Sequence, residues 1–214
     1  MKRLILILAV MTIAVSLFAQ TGGLVPVPAS GNWGFVGGRY YQNDANARLA
    51  KANIQVPQSG FMVYDFNARL EGGIEDGHGG IGIHLFVDEA FNAASWGAGR
   101  SYLLWLNYDE APVSSDIVSG LSAQVYKSIN NSTMELVESV SLNYVLPFIT
   151  DEILANPVPC RIEANGNTGE IRIYDPTDLS IYYPVYVDNR DLPLLGDWVA
   201  IRTNGVIVSF QEGL

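Results

Sequence analysis

Cysteine is almost missing from this 214-residue sequence. Cys160 stands alone, which excludes an intrachain disulfide and any zinc site built on two or more thiolates. Histidine is equally scarce. His78 and His84 lie six apart and outside any H-E-x-x-H pattern, so a zinc hydrolase has no ligand set. Positive charge is thin, with 12 Lys and Arg against 22 Asp and Glu and a formal net charge of −10. Nucleic acid and anionic membrane surfaces are held by Lys and Arg, so neither is an expected partner. The glycine run GFVGG at Gly34–Gly38 lacks the lysine and following helix of a phosphate loop. Helical periodicity is nearly absent. NYVLPFITDEILAN gives the clearest helix signal, a short one over Thr150–Leu154, capped by Thr150 or Asp151, with Pro157 as the stop beyond it.

The long apolar run is confined to the start. Lys2 and Arg3 precede Leu4–Phe18, and Ala19 is a small residue before Gln20. This is the pattern of a secretory signal peptide over residues 1–19. The run is shorter than the ~20 residues of a spanning helix and no basic flank follows, so no membrane span is expected after cleavage. No Cys follows it to carry a lipid. The expectation is an exported protein, periplasmic or extracellular. Removing Lys2 and Arg3 from the 12 basic residues leaves 10 against 22 acidic ones, a formal charge of −12. The remaining ~195 residues suit one β domain. In it, residues 20–59 form an N-terminal loop or edge-strand segment and 60–214 the main body.

What is abundant is two-residue alternation. In Phe61–Val87, Met62, Tyr64, Phe66, Ala68 and Leu70 share one face, and Asp65, Asn67 and Arg69 the other. After a glycine-rich linker, Ile81, Ile83, Leu85 and Val87 share a face opposite Gly82, His84, Phe86 and Asp88. A period of two marks strands with one buried face, and we read the pair as a hairpin needing a second layer to cover it. SYLLWLNYDE repeats the pattern, with Leu104 and Leu106 opposite Trp105 and Asn107. So does LSAQVYKSI, with Val125 opposite Gln124 and Tyr126. RIEANGNTGEIRIYD carries the Asn-Gly signal of a tight hairpin, and Val199 and Ile201 alternate with Trp198, Ala200 and Arg202 near the end. Trp33, Phe35 and Tyr40 predict that the N-terminal segment joins a sheet, since they would otherwise lie exposed. ANARLAKANI reads as one or two helical turns capped by Asp44. About ten short strands and almost no helix predict an all-β, two-layer antiparallel sandwich. Cys160, alternating with Ile162, reads as core and not as a nucleophile.

GDWVAIRTNGVIVSF resembles the closing strands of concanavalin A-like jelly rolls, the laminin-G-like and glucanase-like group. FMVYDFNARL with GGIGIHLFVD is similar to that group's long paired strands, and RIEANGNTGEIRIYD to its long hairpin. The resemblance covers Gly60–Phe210. It implies two sheets of five to seven antiparallel strands, one concave and often a sugar-binding face, with calcium at the rim in some members. A second, weaker resemblance is to the outer-layer sheath proteins of periplasmic flagellar filaments. It rests on the exported, acidic, single-domain character. The glucanase motif of carboxylates on one strand face is missing. Glu135 and Glu138 point to opposite faces, whereas a glycosidase needs two facing carboxylates.

The residues turned away from the expected core are Asp65, Asn67, Arg69, His84, Phe86, Trp105, Asn107, Gln124 and Tyr126. Aromatic rings stack on sugar faces while amides and charged groups fix hydroxyls. We therefore read this set as a candidate ligand-binding face, or else as a second core under another element. Asp88, Glu89, Asp109 and Asp116 end or follow strands and are calcium candidates. No other cofactor is expected. Three functions remain: a non-catalytic glycan-binding protein, a structural component of the cell envelope or flagellar sheath that assembles with itself or with envelope proteins, and a glycoside hydrolase.

Overall fold

The computed structural model describes residues 13–16, 24–73, 76–142 and 156–212. The charged start and cleavage point of the expected leader, and the helix expected over Thr150–Leu154, lie outside these. Fifteen strands are present among the described residues. They are β1 (Ile13–Ser16), β2 (Val27–Ser30), β3 (Trp33–Val36), β4 (Arg39–Gln42) and β5 (Ala50–Gln58). Next come β6 (Phe61–Gly73), β7 (His78–Val87), β8 (Ser101–Asp109), β9 (Gly120–Ser128) and β10 (Met134–Ser141). The last are β11 (Val158–Asn165), β12 (Glu170–Tyr174), β13 (Tyr182–Tyr186), β14 (Gly196–Asn204) and β15 (Val206–Glu212). One 3-10 turn, Asn189–Asp191, is the sole helical element described. No described helix is long and apolar enough to cross a membrane.

Two antiparallel sheets face each other. Sheet I runs β13-β12-β11-β6-β15-β4-β3, with β1 lying parallel to Met62–Asp65 of β6. Sheet II runs β10-β9-β8-β7-β14-β5-β2. This is the two-layer antiparallel sandwich that the alternation predicts. The expected β6–β7 hairpin is not found. β6 belongs to sheet I, between β11 and β15, and β7 to sheet II, between β8 and β14. Their apolar faces cover each other across the sandwich. Met62, Tyr64 and Phe66 meet Ile83, Leu85, Leu104, Val125 and Ile201 in one core, and Leu85 is wholly buried.

Two local departures set up the site. The segment expected to be helical is β5, where Ala52, Ile54 and Val56 enter the core. Asp44 caps a turn instead, its Oδ1 accepting the Asn46 N–H at 2.9 Å. In β7, the register against β14 shifts between Trp198↔Val87 and Ala200↔His84. Phe86 adopts a positive φ of 56° there, so Leu85 and Phe86 both turn inward and Val87 turns out. Such a bulge frees a backbone donor. Gln58 takes it, accepting from the Phe86 N–H at 2.9 Å and the Tyr64 hydroxyl at 2.6 Å. The N-terminal aromatics join sheet I as expected, with Trp33 stacked on Tyr40 at 5.2 Å.

Candidate functional site

The strand registers lay one row of side chains across the outer face of sheet II: Ser139, Gln124, Trp105, Gly82, Arg202 and Lys51. A flanking row brings Tyr126, Leu103, His84, Ala200 and Asn53 side by side. The other flank brings Ser122, Asn107 and Gly80 together. The glycines of β7 shape the floor. A Cβ on Gly80 would lie 2.2 Å from Cζ2 of Trp105, and one on Gly82 2.7 Å from its Cε3. The indole therefore lies flat over bare backbone. Its Nε1 donates to Asn107 Oδ1 at 3.0 Å, which fixes the amide with its NH₂ group unspent.

Arg202 touches two tryptophans. Its guanidinium carbon lies 5.3 Å from the Trp105 ring centre and 4.8 Å from that of Trp96. Cation–π contacts of this kind contribute up to about 2 kcal/mol when desolvated. Trp96 belongs to the loop between β7 and β8, which roofs this end of the sheet. Arg202 Nη1 donates to the Trp96 carbonyl at 2.5 Å. Lys51 Nζ donates to the Ser95 carbonyl, Ser95 Oγ and the Gly97 carbonyl at 3.2, 2.7 and 2.5 Å. Both cations are buried. Burial, reinforced by the Arg202 charge, brings the Lys51 ammonium down to about 7, and burial brings Arg202 down to about 10. His84 is wholly buried beside Ser101 Oγ at 3.0 Å. Burial first, then the charges of Arg202 and Lys51, holds it neutral.

Five buried polar atoms of this face have no hydrogen-bond partner: Arg202 Nε, Asn107 Nδ2, Ser139 Oγ, His84 Nε2 and Asn53 Oδ1. Buried polar groups are ordinarily satisfied, and here five unsatisfied ones lie together on one sheet face. Gln124 and Tyr126 are already engaged, Tyr126 donating to Gln124 Oε1 at 2.7 Å and Gln124 Nε2 to Ser122 Oγ at 3.0 Å. Trp105 is only 8% exposed, while Trp96 on the loop above it is 49% exposed. The open aromatic ring is thus Trp96, with Trp105 as floor.

The nine residues read as one face divide into three groups. His84, Trp105, Asn107, Gln124 and Tyr126 do come together on sheet II. Asp65, Asn67 and Arg69 lie on the outer face of sheet I, across the sandwich, because β6 belongs to the other layer. Phe86 is in the core, turned there by its bulge. The calcium candidates do not converge. β7 and β8 run antiparallel with His78 opposite Asp109, so Asp88 and Glu89 lie at one end of the pair and Asp109 and Asp116 at the other. Asp88 instead pairs with Arg100 at 2.8 Å and Asp109 with His78 at 3.2 Å. No group of three or more His, Cys, Asp or Glu suited to a metal occurs among the described residues. Cys160 lines a cavity of about 80 Å³ between the sheets, its thiol pushed up to about 12 by burial, as fits a core position. Sequence reasoning missed Lys51, Asn53, Trp96 and Ser139 as site residues. The alternation of Arg202 with Val199 and Ile201 was the available signal for the β14 contribution.

The fold is that of concanavalin A-like jelly rolls. A Bacillus subtilis protein described as having a galectin-like fold is similar over 88% of this chain and 86% of its own, with TM-score 0.57 and 10% identity. A carbohydrate-binding module from Bacillus subtilis is similar over 94% and 96%, with TM-score 0.51 and 12% identity. A legume lectin-like domain from Entamoeba histolytica is similar over 86% and 84%, with TM-score 0.51 and 13% identity. No protein-family profile and no curated protein matches the sequence. At such identities the likeness is one of fold, and it lends no support to the resemblance to filament sheath proteins.

Proposed function

We propose that this chain is a non-catalytic, exported carbohydrate-binding protein whose glycan lies on the outer face of sheet II, between the exposed Trp96 and the floor of Trp105 and Arg202. The observation that carries this reading is the cluster of unspent buried polar atoms beside two tryptophans. Indoles stack on pyranose faces, and fixed amide, hydroxyl and guanidinium groups hold ring oxygens and hydroxyls. The fold shared with a carbohydrate-binding module and a lectin-like domain supports it. Hydrolysis is the weaker reading, because the strand positions facing outward in those rows carry no Asp or Glu and the reaction needs two carboxylates. Export rests on Lys2, Arg3 and the apolar run before Ala19.

A glycan array tests the reading. Wild-type protein should bind at least one glycan class, and Trp96→Ala should lose more than about tenfold, since central aromatic anchors contribute above ~2 kcal/mol to binding. Trp96→Ala also removes the ring beside Arg202, so its melting temperature is measured alongside and affinities are compared where both proteins are folded. Silence of the wild type across a broad array would sink the proposal. Among the described residues, the edge strands β13, with Tyr182, Tyr183 and Tyr186 exposed, and β3, with Phe35 and Val36 exposed, are surfaces that favour self-assembly. Pro184 at the centre of β13 blunts that edge.

A further inference from the structure

From the charge of this face we infer that the bound sugar is acidic, its carboxylate or sulfate group meeting Arg202 beside the Trp105 ring; this rests on the glycan-binding reading. Acidic residues outnumber basic ones 22 to 12 in the chain. Yet the three outward rows laid over Trp105 carry the cations Lys51 and Arg202 and no Asp or Glu, and Asp109 in the row beyond them pairs with His78. Lys51 and Arg202 are register partners on β5 and β14, and neither forms an ion pair with a described carboxylate. Burying a cation without a counter-charge is costly. The loop carbonyls of Ser95, Trp96 and Gly97 supply only dipoles in return.

Beside the Trp105 ring the unspent hydrogen-bonding capacity has a direction, whereas Asn53 Oδ1 in the flanking row can only accept. Arg202 Nε–H can only donate. Asn107 has its oxygen occupied by Trp105, so its free Nδ2 can only donate. A sugar hydroxyl seeks an acceptor as well as a donor. An oxyanion seeks donors alone, and a charge-assisted bond to guanidinium is about twice as strong as a neutral one. Burial first, and the Arg202 charge after it, lowers the proton affinity of Lys51, so Arg202 is the lasting charge of this face. The net charge of −10 repels long polyanions, so the fitting ligand is a short glycan with few acidic groups.

Calorimetry on the full mature chain tests this with three probes: a short neutral oligosaccharide ending in one galacturonate, the same oligosaccharide with that carboxyl reduced to an alcohol, and a short neutral oligosaccharide carrying one O-sulfate. The acidic probes should bind about 10- to 100-fold more tightly than the reduced one, the range of a charge-assisted hydrogen bond. Preference between the first and third assigns carboxylate or sulfate. Equal or tighter binding of the reduced probe overturns the acidic assignment and leaves glycan binding standing. Silence with all three, together with a silent neutral array, overturns both. Asn107→Ala should narrow the acidic preference while Arg202→Gln should abolish it. Should Arg202→Gln not fold, the probe series on the wild type still decides.

Discussion

On the outer face of sheet I, Arg161 lies 3.2 Å from Glu163 and 3.7 Å from Asp65, Arg172 pairs with Glu170 at 3.0 Å, and Arg69 with Glu71 at 2.7 Å. On the outer face of sheet II, Lys51 and Arg202 are more deeply buried and meet carbonyls and aromatic rings instead. Both faces belong to strands with the same alternation, and both set cations beside aromatic rings. The difference is how far the polar groups satisfy one another: sheet I leaves one buried oxygen, Asp65 Oδ1, without a hydrogen-bond partner, and sheet II leaves five atoms. A face whose charges are mutually paired is complete in water. A face with buried donors left over is incomplete until something else supplies acceptors. Counting residue types along a strand does not separate the two cases; partner geometry does.

The largest expected difference between the faces concerns their glycines. Gly80→Ala must displace the Trp105 ring, 2.2 Å from the new Cβ, and should cost about 1–3 kcal/mol as an overpacking change. Its tryptophan fluorescence should shift. Gly34→Ala, on β3 of sheet I, meets nothing within 4 Å and should stay within about 0.5 kcal/mol of wild type. Urea melts compare them. Equal effects would mean that the sheet II floor is no more closely fitted than a free surface.

The strands were legible because alternation survives wherever one face is buried. Met62, Tyr64, Ile83, Leu85 and Leu104 fall in the core as expected. Alternation says which face is buried and not which layer a strand joins. Asp65, Asn67 and Arg69 therefore read as neighbours of His84 and Trp105 although β6 and β7 lie in opposite sheets. A single bulge defeats the period at Phe86, since one positive φ turns two successive side chains the same way. β5 is hidden by its alanines. Ala50, Ala52 and the capping-type Asp44 suggest a helix, while tertiary pairing to β14 and β2 makes a strand. Lys51 is hidden with it, since a lysine on a presumed surface helix carries no signal.

Lys51 sharpens the contrast through pH. In the unfolded chain it keeps its proton up to its ordinary value of 10.5, and in the folded protein only up to about 7. Below pH 7 both states hold the proton, and Lys51 adds no pH dependence. Between 7 and 10.5 the unfolded state holds more protons, so stability rises with pH, by at most about 1.4 kcal/mol per unit. Denaturant melts from pH 6 to 9 should show this rise in the wild type and its loss in Lys51→Met. Parallel curves for the two proteins would show that Lys51 stays charged, with the roofing loop admitting water to it.

The smallest effect is expected where the charges are complete. Arg161 is about one-third exposed and shared between Asp65 and Glu163, with its guanidinium carbon 5.6 Å from the Tyr174 ring centre. Exposed ion pairs of this kind contribute about 0–1 kcal/mol, so Arg161→Ala should lower stability by no more than that. Asp65→Asn removes the longer of the two pairs and should do less. Neither change reaches the opposite face, so whatever glycan the wild type binds should bind both variants with unaltered affinity. The measurement is a melt and a binding isotherm for each. A loss of glycan affinity in Asp65→Asn, with stability intact, would place the sugar on sheet I, in reach of Tyr174 and Tyr182. The self-paired face would then be the functional one, and the unspent donors of sheet II would need an occupant other than sugar.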